Sequence, residues 1–384
     1  MTDAQGLAAF LAAVYLVECV VRVPSGAFAL RRGGASCRIF QPAEWTEAAR
    51  GGFVLDDLLP PFDGHALLQP WTIAVSPDGI LSRLRGSRSR RDDPPVRFVA
   101  WDSVAVPLRA DGSDLVVGDA AFARLASPAA AESVASQLSR IANASPCDRE
   151  RAILDAIDAR LDVETVLARD AARRAAVARA RVSAHVVFAA TLGLVLGMAG
   201  VAVLAAWWPW FLLALLPAMA WTLSDFAFAH RRLHPEAGPR RRRALWAMAA
   251  SPLGAVRAVA VAGREAFAAS DPLAAAAAFC DADGLREFAR RSLSELRHPP
   301  PPATDDEAGE RGSACEEWFR ERLVLRIERF LRRRGLDPAE LLAAPARSGE
   351  SILGWCPRCR SQYERAAGHC ADCEGIPIRA YPVA

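Results

Sequence analysis

The stretch VSAHVVFAATLGLVLGMAGVAVLAAWWPWFLLALLPAMAWTLS, residues 182–224, decides how the rest of the chain is interpreted. It contains no Asp, Glu, Lys or Arg, and His185 is its only side chain that titrates near neutral pH. One helix needs about 20 apolar residues to cross the ~30 Å hydrocarbon core of a bilayer, so the stretch is too long for one span and suits two. The sequence WWPW at 207–210 interrupts it, and aromatic rings favour the membrane interface while proline favours a turn. We therefore predict a transmembrane helical hairpin over 183–229.

Arginines flank this stretch on both sides and predict its orientation. Arg173, Arg174, Arg179 and Arg181 precede the first helix, and Arg231, Arg232 and the run 240–243 follow the second. Basic residues near membrane spans favour the cytoplasmic side, so both flanks are expected to face the cytoplasm at the inner membrane of a multi-pass protein. The alternative, a buried hairpin in a soluble protein, would need a very large core around two uncharged helices.

The residue types within the hairpin favour some functions and disfavour others. Gly193 and Gly197 lie four residues apart and would allow another helix to approach closely, which is a possible route to helix association. Residues 183–224 place no Asp, Glu, Lys or Arg at bilayer depth, and transport or proton relay normally needs such a group. The whole chain is 52% hydrophobic with a formal net charge of +3, so no global field would draw it to nucleic acid.

The N-terminal residues 1–24 form a possible third membrane helix. The apolar segment 6–21 is nearly long enough to span, but Glu18 interrupts it and Pro24 follows it closely. A buried or interfacial helix is the alternative. Cleavage as a signal peptide is not expected, because the start MTDAQ carries an acid and no base.

Residues 25–147 predict a small cytoplasmic β-rich domain. The segments WTIAVSPDGIL (71–81), VRFVAWDSVAV, LVVGD and FARLAS alternate apolar residues between turn signals, and SPAAAESVASQLSRIA (127–142) follows as an amphipathic helix with Pro128 at its first position. This order of strands and closing helix resembles the pleckstrin-homology-like domains of bacterial membrane proteins. The resemblance implies lipid or protein contacts, and no binding residue is carried over from it.

The remaining segments divide by composition. Residues 148–182 have helical spacing and predict a juxtamembrane stalk, and residues 230–297 predict a basic segment followed by alanine-rich helices. One of these helices is expected to begin at a Ser270/Asp271 cap with Pro272 at its start. The proline-rich and acidic residues 298–313 are typical of a disordered linker. Residues 314–384 then predict one amphipathic helix, ending before Gly335, and a cysteine-containing module.

The four cysteines in WCPRCRSQYERAAGHCADC, residues 355–373, are the most specific signal in the chain. Cys356 and Cys359 form one C-x2-C hook, and Cys370 and Cys373 form another. Together they can offer four thiolates to one tetrahedral metal ion at about 2.3 Å. The pattern resembles a zinc ribbon over about 354–382, although the glycine usual late in the first hook is absent, since Arg360 and Ser361 follow Cys359. The adjacent His369 is not expected to bind, because four thiolates close the coordination shell.

A closed shell leaves no position for a catalytic water, so the metal is predicted to be structural Zn²⁺, with iron as the alternative ion. Paired disulfides are disfavoured in a reducing compartment. The other five cysteines lack ligand spacing and are interpreted as apolar fillers.

The overall expectation is an α+β membrane protein: a helix-capped antiparallel β domain, a transmembrane hairpin, a helical segment and a C-terminal zinc ribbon. No catalytic motif is recognised, so the predicted function is a non-catalytic scaffold that holds cytoplasmic binding modules at the bilayer and contacts an unidentified protein partner. Two alternatives stay open. One is nucleic-acid binding through the ribbon, disfavoured by its balanced charges. The other is a membrane-associated or thiol-redox enzyme.

Overall fold

The chain contains helices and small antiparallel sheets, in a computed structural model that describes most of residues 71–382. The described residues are 6, 10, 28–32, 35–39, 71–84, 96–103, 108–125, 128–198, 200–233, 242, 243, 246, 247, 249, 270–299, 307–373 and 375–382. The predicted N-terminal helix over 6–21 falls outside them apart from positions 6 and 10.

The described residues of the N-terminal part form three antiparallel sheets and a closing helix. The strands are β1 (Phe28–Arg32), β2 (Ala35–Ile39), β3 (Trp71–Val75), β4 (Gly79–Leu84), β5 (Val96–Ala100), β6 (Leu108–Asp111), β7 (Asp114–Val117) and β8 (Ala120–Arg124). They pair as β1-β2, β3-β4-β5 and β6-β7-β8. Helix α1 (Pro128–Ala142) begins at the predicted proline and packs on β6 and β7. The Ser82 hydroxyl donates to the Phe122 carbonyl at 2.8 Å and links the second sheet to the third.

The structure corrects one predicted strand in this region. The segment VRFVAWDSVAV was expected to continue as a strand, but β5 ends at Ala100 and Trp101–Ser103 form a single 3-10 turn. The reason is the indole of Trp101, which is 4% exposed and donates from Nε1 to the Ser76 carbonyl at 2.8 Å. Turning the chain here places the ring in the core beside the β3–β4 turn.

Two long helices follow a short one and pack against each other. They are α2 (Arg149–Arg160), α3 (Val163–Met198), the single turn α4 (Ala202–Ala205) and α5 (Trp208–Leu233). Helix α3 is continuous through residue 182, so the predicted stalk and first apolar helix are one element. The first half of the predicted stalk is not an isolated helix, because Ile153 and Ile157 of α2 are buried.

Helices α3 and α5 run antiparallel. Arg179 near the start of the apolar part of α3 bonds Asp225 near the end of α5, whereas Gly197 at the other end of α3 lies beside Trp208. A Cβ on Gly193 would lie 2.5 Å from the Phe211 ring. The glycines that predicted helix association therefore admit α5 of the same chain.

The described residues from 270 to 382 form four helices and a three-stranded ribbon. The elements are α6 (Pro272–Phe279), α7 (Ala282–Arg297), α8 (Glu307–Arg333), α9 (Pro338–Leu341), β9 (Gly354–Trp355), β10 (Gln362–Tyr363) and β11 (Arg379–Ala380). Asp271 caps α6 by accepting a hydrogen bond from Leu273 N at 2.8 Å, as its Asp-Pro start predicted. Helix α8 begins at Glu307, inside the stretch 298–313 that composition assigned to a linker.

The sequence on either side of the helix pair folds into one hydrophobic core, which we call the globular body (described residues 71–161 and 270–341). Its fully buried members include Ile80, Leu115, Ile153, Leu273, Phe288 and Ile327, which come from β4, β7, α2, α6, α7 and α8. Helix α8 packs across β3, β4 and β5 and against α2. Ion pairs join Arg326 to Asp158 and, at 3.1 Å, Arg322 to Glu150. The β-rich part and the C-terminal helices, expected as separate modules, are therefore one unit.

Candidate metal centre and apolar helix surface

The ribbon is built on β9, which pairs with β10 on one side and β11 on the other. Glycine is required at the centre of this small sheet. A Cβ on Gly354 would lie 2.5 Å from the Arg365 carbonyl oxygen and 2.6 Å from Cγ2 of Ile378. The close approach of these segments brings the two cysteine hooks, which are ten residues apart in sequence, to the same end of the ribbon.

The first hook closes after Cys356. Arg360 N donates to the Cys356 carbonyl at 2.9 Å, and Cys356 N donates to the Ser361 carbonyl at 2.9 Å. Arg360 has φ 65° and is the only non-glycine residue with positive φ among the described residues. The hook thus keeps the left-handed conformation that glycine usually provides, although the sequence supplies arginine there.

The second hook closes with the residues that follow it. Cys370 N donates to the Ile376 carbonyl at 2.9 Å, and Ile378 N donates to the Gly368 carbonyl at 2.8 Å. Gly375 has φ 77°, so a glycine provides the left-handed turn here. His369 is exposed and stands outside the cysteine cluster.

The four predicted cysteines form one cluster. The sulfur atoms of Cys356, Cys359, Cys370 and Cys373 all lie within 4.8 Å of one another. Cys359 Sγ and Cys370 Sγ are 3.5 Å apart. Four sulfurs placed tetrahedrally around one ion at about 2.3 Å would be about 3.8 Å apart, so the cluster needs only small adjustments to close on a metal. The donor set and its geometry fit a zinc-ribbon-like site.

The sulfurs differ in their surroundings. Cys356 and Cys370 are buried and Cys359 is exposed. Burial raises the pKa of Cys356 to about 11. Burial also acts to raise the pKa of Cys370, but hydrogen bonds outweigh it and lower that pKa to about 7, the strongest from the Tyr363 hydroxyl at 3.1 Å. Tyr363 therefore stabilises the thiolate form that a metal binds, and its place between the hooks was not recognised from sequence.

The ribbon is held on the globular body by the last turns of α7. The Ser294 hydroxyl, 1% exposed, lies 2.9 Å from the Pro357 carbonyl and 3.0 Å from the Arg358 carbonyl and donates to these two oxygens of the first hook. On the other side, Gln362 Nε2 donates to the Ala346 carbonyl at 2.7 Å. Nothing in the sequence marked Ser294, because its role depends on where α7 lies.

Cations gather where α7 meets the ribbon. The half-buried His298 ends α7, and its pKa is lowered to about 4 by burial and by repulsion from Arg379, Arg297 and Arg358. Arg297 is paired with Glu328 of α8.

The remaining cysteines are not alike. Cys147 is an exposed thiol and Cys315 a buried one, in which burial raises the pKa to about 11. Cys280, at the end of α6, is disulfide-bonded, so the interpretation as an apolar filler is wrong for Cys280.

The second candidate site is the apolar surface of the helix pair. Within the described residues, the large exposed hydrophobic side chains concentrate between 182 and 228; only Phe10, Leu167, Leu325 and Leu353 lie elsewhere. Val203 is 79% exposed, Leu216 72% and Trp210 64%. One described helix, Trp208–Leu233, is long and apolar enough to cross a membrane, and 182–198 is a shorter apolar stretch. Such a surface on a water-soluble monomer would be unusual.

Comparison with known proteins assigns no relative. No protein family matches the chain, and neither a curated protein nor a solved structure has significant similarity to it.

Proposed function

We propose that this protein is a non-catalytic scaffold anchored in the inner membrane by the hairpin of α3 and α5, with its globular body and a structural Zn²⁺ ribbon in the cytoplasm. The body would hold binding surfaces for a protein partner at the membrane face. A lipid-contacting role for the β-rich part, implied by its resemblance to pleckstrin-homology-like domains, belongs to the same proposal.

The shared core of the globular body is the observation that carries the proposal. Residues before α3 and residues after α5 bury side chains in one hydrophobic cluster, with α2 and α8 also joined by ion pairs. A single core cannot form across a bilayer. If the apolar helix pair enters a membrane, it must enter and leave by the same face, and the body and ribbon must share one compartment.

The surface of the helix pair supports insertion. Side chains such as Leu213 and Leu216 are 68% and 72% exposed, and acyl chains would cover them. Arg174 and Arg179 lie on α3 just before the apolar part, with side chains 70% and 71% exposed. Guanidinium groups at that position favour the anionic cytoplasmic leaflet.

The metal centre supports a structural rather than a catalytic role. Four sulfur ligands fill a tetrahedral zinc shell, and the ribbon depends on the two hooks because its strands are two residues long. Zinc binding and ribbon folding are therefore expected to be coupled. Metal analysis of the purified protein should give one zinc per chain, and a visible thiolate-to-iron absorption band would instead assign iron.

The exposed Cys147 provides a topology test. After carbonate extraction confirms that the protein stays with membranes, a membrane-impermeant maleimide should label Cys147 only in permeabilised cells, and the Cys147→Ser variant should lose that signal. Release by carbonate would refute membrane anchoring. Labelling in intact cells would refute the cytoplasmic placement of the body, which the disulfide at Cys280 already counts against because thiols stay reduced in the cytoplasm.

Nucleic-acid binding is the second candidate, favoured by the arginines around His298. A divalent ion held by four thiolates carries a net charge of about −2, however, which Arg358 in the first hook would partly offset. Binding of an oligonucleotide that weakens steeply with added salt, and that is lost in Arg358→Gln and Arg379→Gln variants, would favour this alternative.

A further inference from the structure

We infer that the hairpin of α3 and α5 ends inside the membrane, with its tip (residues 197–211) in contact with lipid and no polar group in the aqueous phase on the far side. This inference rests on the proposed membrane anchoring and specifies its depth. The predicted two-span hairpin would then be a wedge inserted from one face.

Apart from the tryptophan indoles, the side chains of the tip offer no hydrogen-bonding group to water. Between residues 186 and 221 the polar side chains are Thr191 and four tryptophan indoles. The Thr191 hydroxyl is already used within α3, where it donates to the Val187 carbonyl at 2.8 Å. The groups exposed at the tip are apolar or aromatic, among them Met198 at 60%, Val203 at 79% and Trp207 at 58%. A loop that protruded into water would usually contain charged or amide side chains.

The backbone of the tip satisfies much of its own hydrogen bonding. Gly200, with φ 83°, ends α3 in a left-handed turn in which Gly200 N bonds the Gly197 carbonyl at 3.1 Å and Val201 N bonds the Leu196 carbonyl at 3.2 Å. Leu204 N and Ala205 N both bond the Val201 carbonyl at 2.8 Å.

The chain then continues directly into α5 in the same way. Trp207 N bonds the Leu204 carbonyl at 2.9 Å, and Trp210 N bonds the Trp207 carbonyl at 3.0 Å. Pro209 lies between them and has no N–H group to satisfy. Hydrocarbon cannot solvate peptide groups, so only a turn of this internally bonded kind is compatible with a lipid environment.

The length of the helices sets the depth. Arg179 and Asp225 form an ion pair, with Nε and Oδ1 2.7 Å apart, at the end of the apolar part of the hairpin that adjoins the globular body. We place this charged pair at the level of the lipid headgroups. At 1.5 Å per residue, Trp208 lies about 25 Å from Asp225 along α5, and Met198 about 28 Å from Arg179 along α3. The hydrocarbon core is about 30 Å thick, and an average tilt of about 20° shortens the reach further. The two helices therefore end at or before the far interface, and only the short apolar connection between them lies farther along the hairpin.

The tryptophans fit this depth. Trp207, Trp208 and Trp210 are 58%, 41% and 64% exposed, and all lie at the tip. Indole rings favour the boundary between hydrocarbon and headgroups, where the ring is in lipid and the N–H reaches a polar group. They would hold the tip at the far boundary.

The test uses a reporter cysteine at Val203, whose 79% exposure means that the substitution disturbs little packing. In native membranes, Val203→Cys should react with an impermeant maleimide from neither side and should react after detergent solubilisation. Its rate in membranes should be about tenfold or more below that of Cys147 in opened vesicles, because the reactive thiolate is disfavoured in hydrocarbon. A variant with a hydrophilic Gly-Ser tether carrying a cysteine between Gly200 and Val201 is the positive control for far-side access.

Each other outcome overturns the inference in a distinguishable way. If Val203→Cys reacts from the far side as fast as the tethered cysteine, the hairpin makes two full spans and the membrane anchoring stands. If it reacts from the near side as fast as Cys147 and carbonate releases the protein, the hairpin is not inserted and the proposed function fails as well.

Discussion

Replacing Gly354 by alanine should weaken metal binding without touching any metal ligand. The new methyl group would lie 2.5 Å from the Arg365 carbonyl oxygen, 2.6 Å from Ile378 Cγ2 and 3.2 Å from the Arg379 carbonyl oxygen. Two of these neighbours are backbone atoms in adjoining segments, so they cannot rotate away as a flexible side chain could. Inserting a methyl group into such a site typically costs about 1–3 kcal/mol.

That penalty should appear in the metal affinity, because the metal-bound state requires the folded ribbon. Since each ~1.4 kcal/mol is a factor of ten, the Zn²⁺ dissociation constant should rise about 5- to 150-fold. Competition with a chelator of known affinity, in the full-length protein in mild detergent, measures this change. Gly349→Ala is the matched control, because a Cβ at Gly349 would meet nothing within 4 Å. Equal zinc affinity of the two variants would refute the argument that β9 needs glycine for close backbone approach.

Four further predictions concern the hooks, the ribbon interface and the helix pair. Arg360→Gly should leave zinc affinity unchanged or tighten it up to about fivefold, because glycine removes the strain of about 1 kcal/mol that a left-handed arginine carries. Gly375→Ala, which introduces such strain in the second hook, should weaken zinc affinity. Chelator competition measures both affinities, and a large loss of affinity in Arg360→Gly would contradict the strain argument. The Ser294→Ala variant should keep its zinc, but the backbone amides of its ribbon should be less protected from hydrogen exchange. The reason is that two carbonyl groups of the first hook lose a hydrogen-bond donor worth about 1 kcal/mol. Unchanged protection of the amides at residues 355–361 would count against docking of the ribbon through α7. Since His298 has a folded-state pKa of about 4, against an ordinary 6.5, the unfolded state binds the proton first and stability should fall as pH drops from 6.5 to 4. Thermal melts of His298→Gln should decline less over that range at equal zinc content, and identical pH profiles would refute the burial of a neutral imidazole. Arg179→Gln should lower the melting temperature in detergent, because it leaves the 5% exposed Asp225 without its ion-pair partner. Arg174→Gln is the control and should lower the melting temperature less, because Asp170 still has Arg173 as a partner.

The cysteine spacing and the uncharged stretch were sufficient to predict local chemistry. C-x2-C hooks bring their sulfurs together through short-range turns, so Cys356, Cys359, Cys370 and Cys373 could be named as one cluster. The start of helix α6 at Asp271-Pro272 could likewise be predicted from the sequence, because a helix cap depends on residues only a few positions apart. The apolar composition of 182–224 predicted two adjacent helices, because this signal also lies within one continuous stretch of sequence. The insertion of these helices in a membrane stays a prediction.

Tertiary structure decided how the segments combine. Helical periodicity showed that α8 has an apolar face, but any apolar surface can cover such a face, and only the fold assigned it to β3, β4 and β5. Ser294 and Tyr363 became parts of the metal centre through contacts between elements, and Arg360 adopts the left-handed conformation because the hook around it is closed by hydrogen bonds. Local patterns therefore determined the helices, the strands and the metal-ligand set of this protein. The joining of its two halves into one body depends on long-range hydrophobic packing. That packing is non-directional, so the sequence carries no periodic signal that says which apolar surfaces meet.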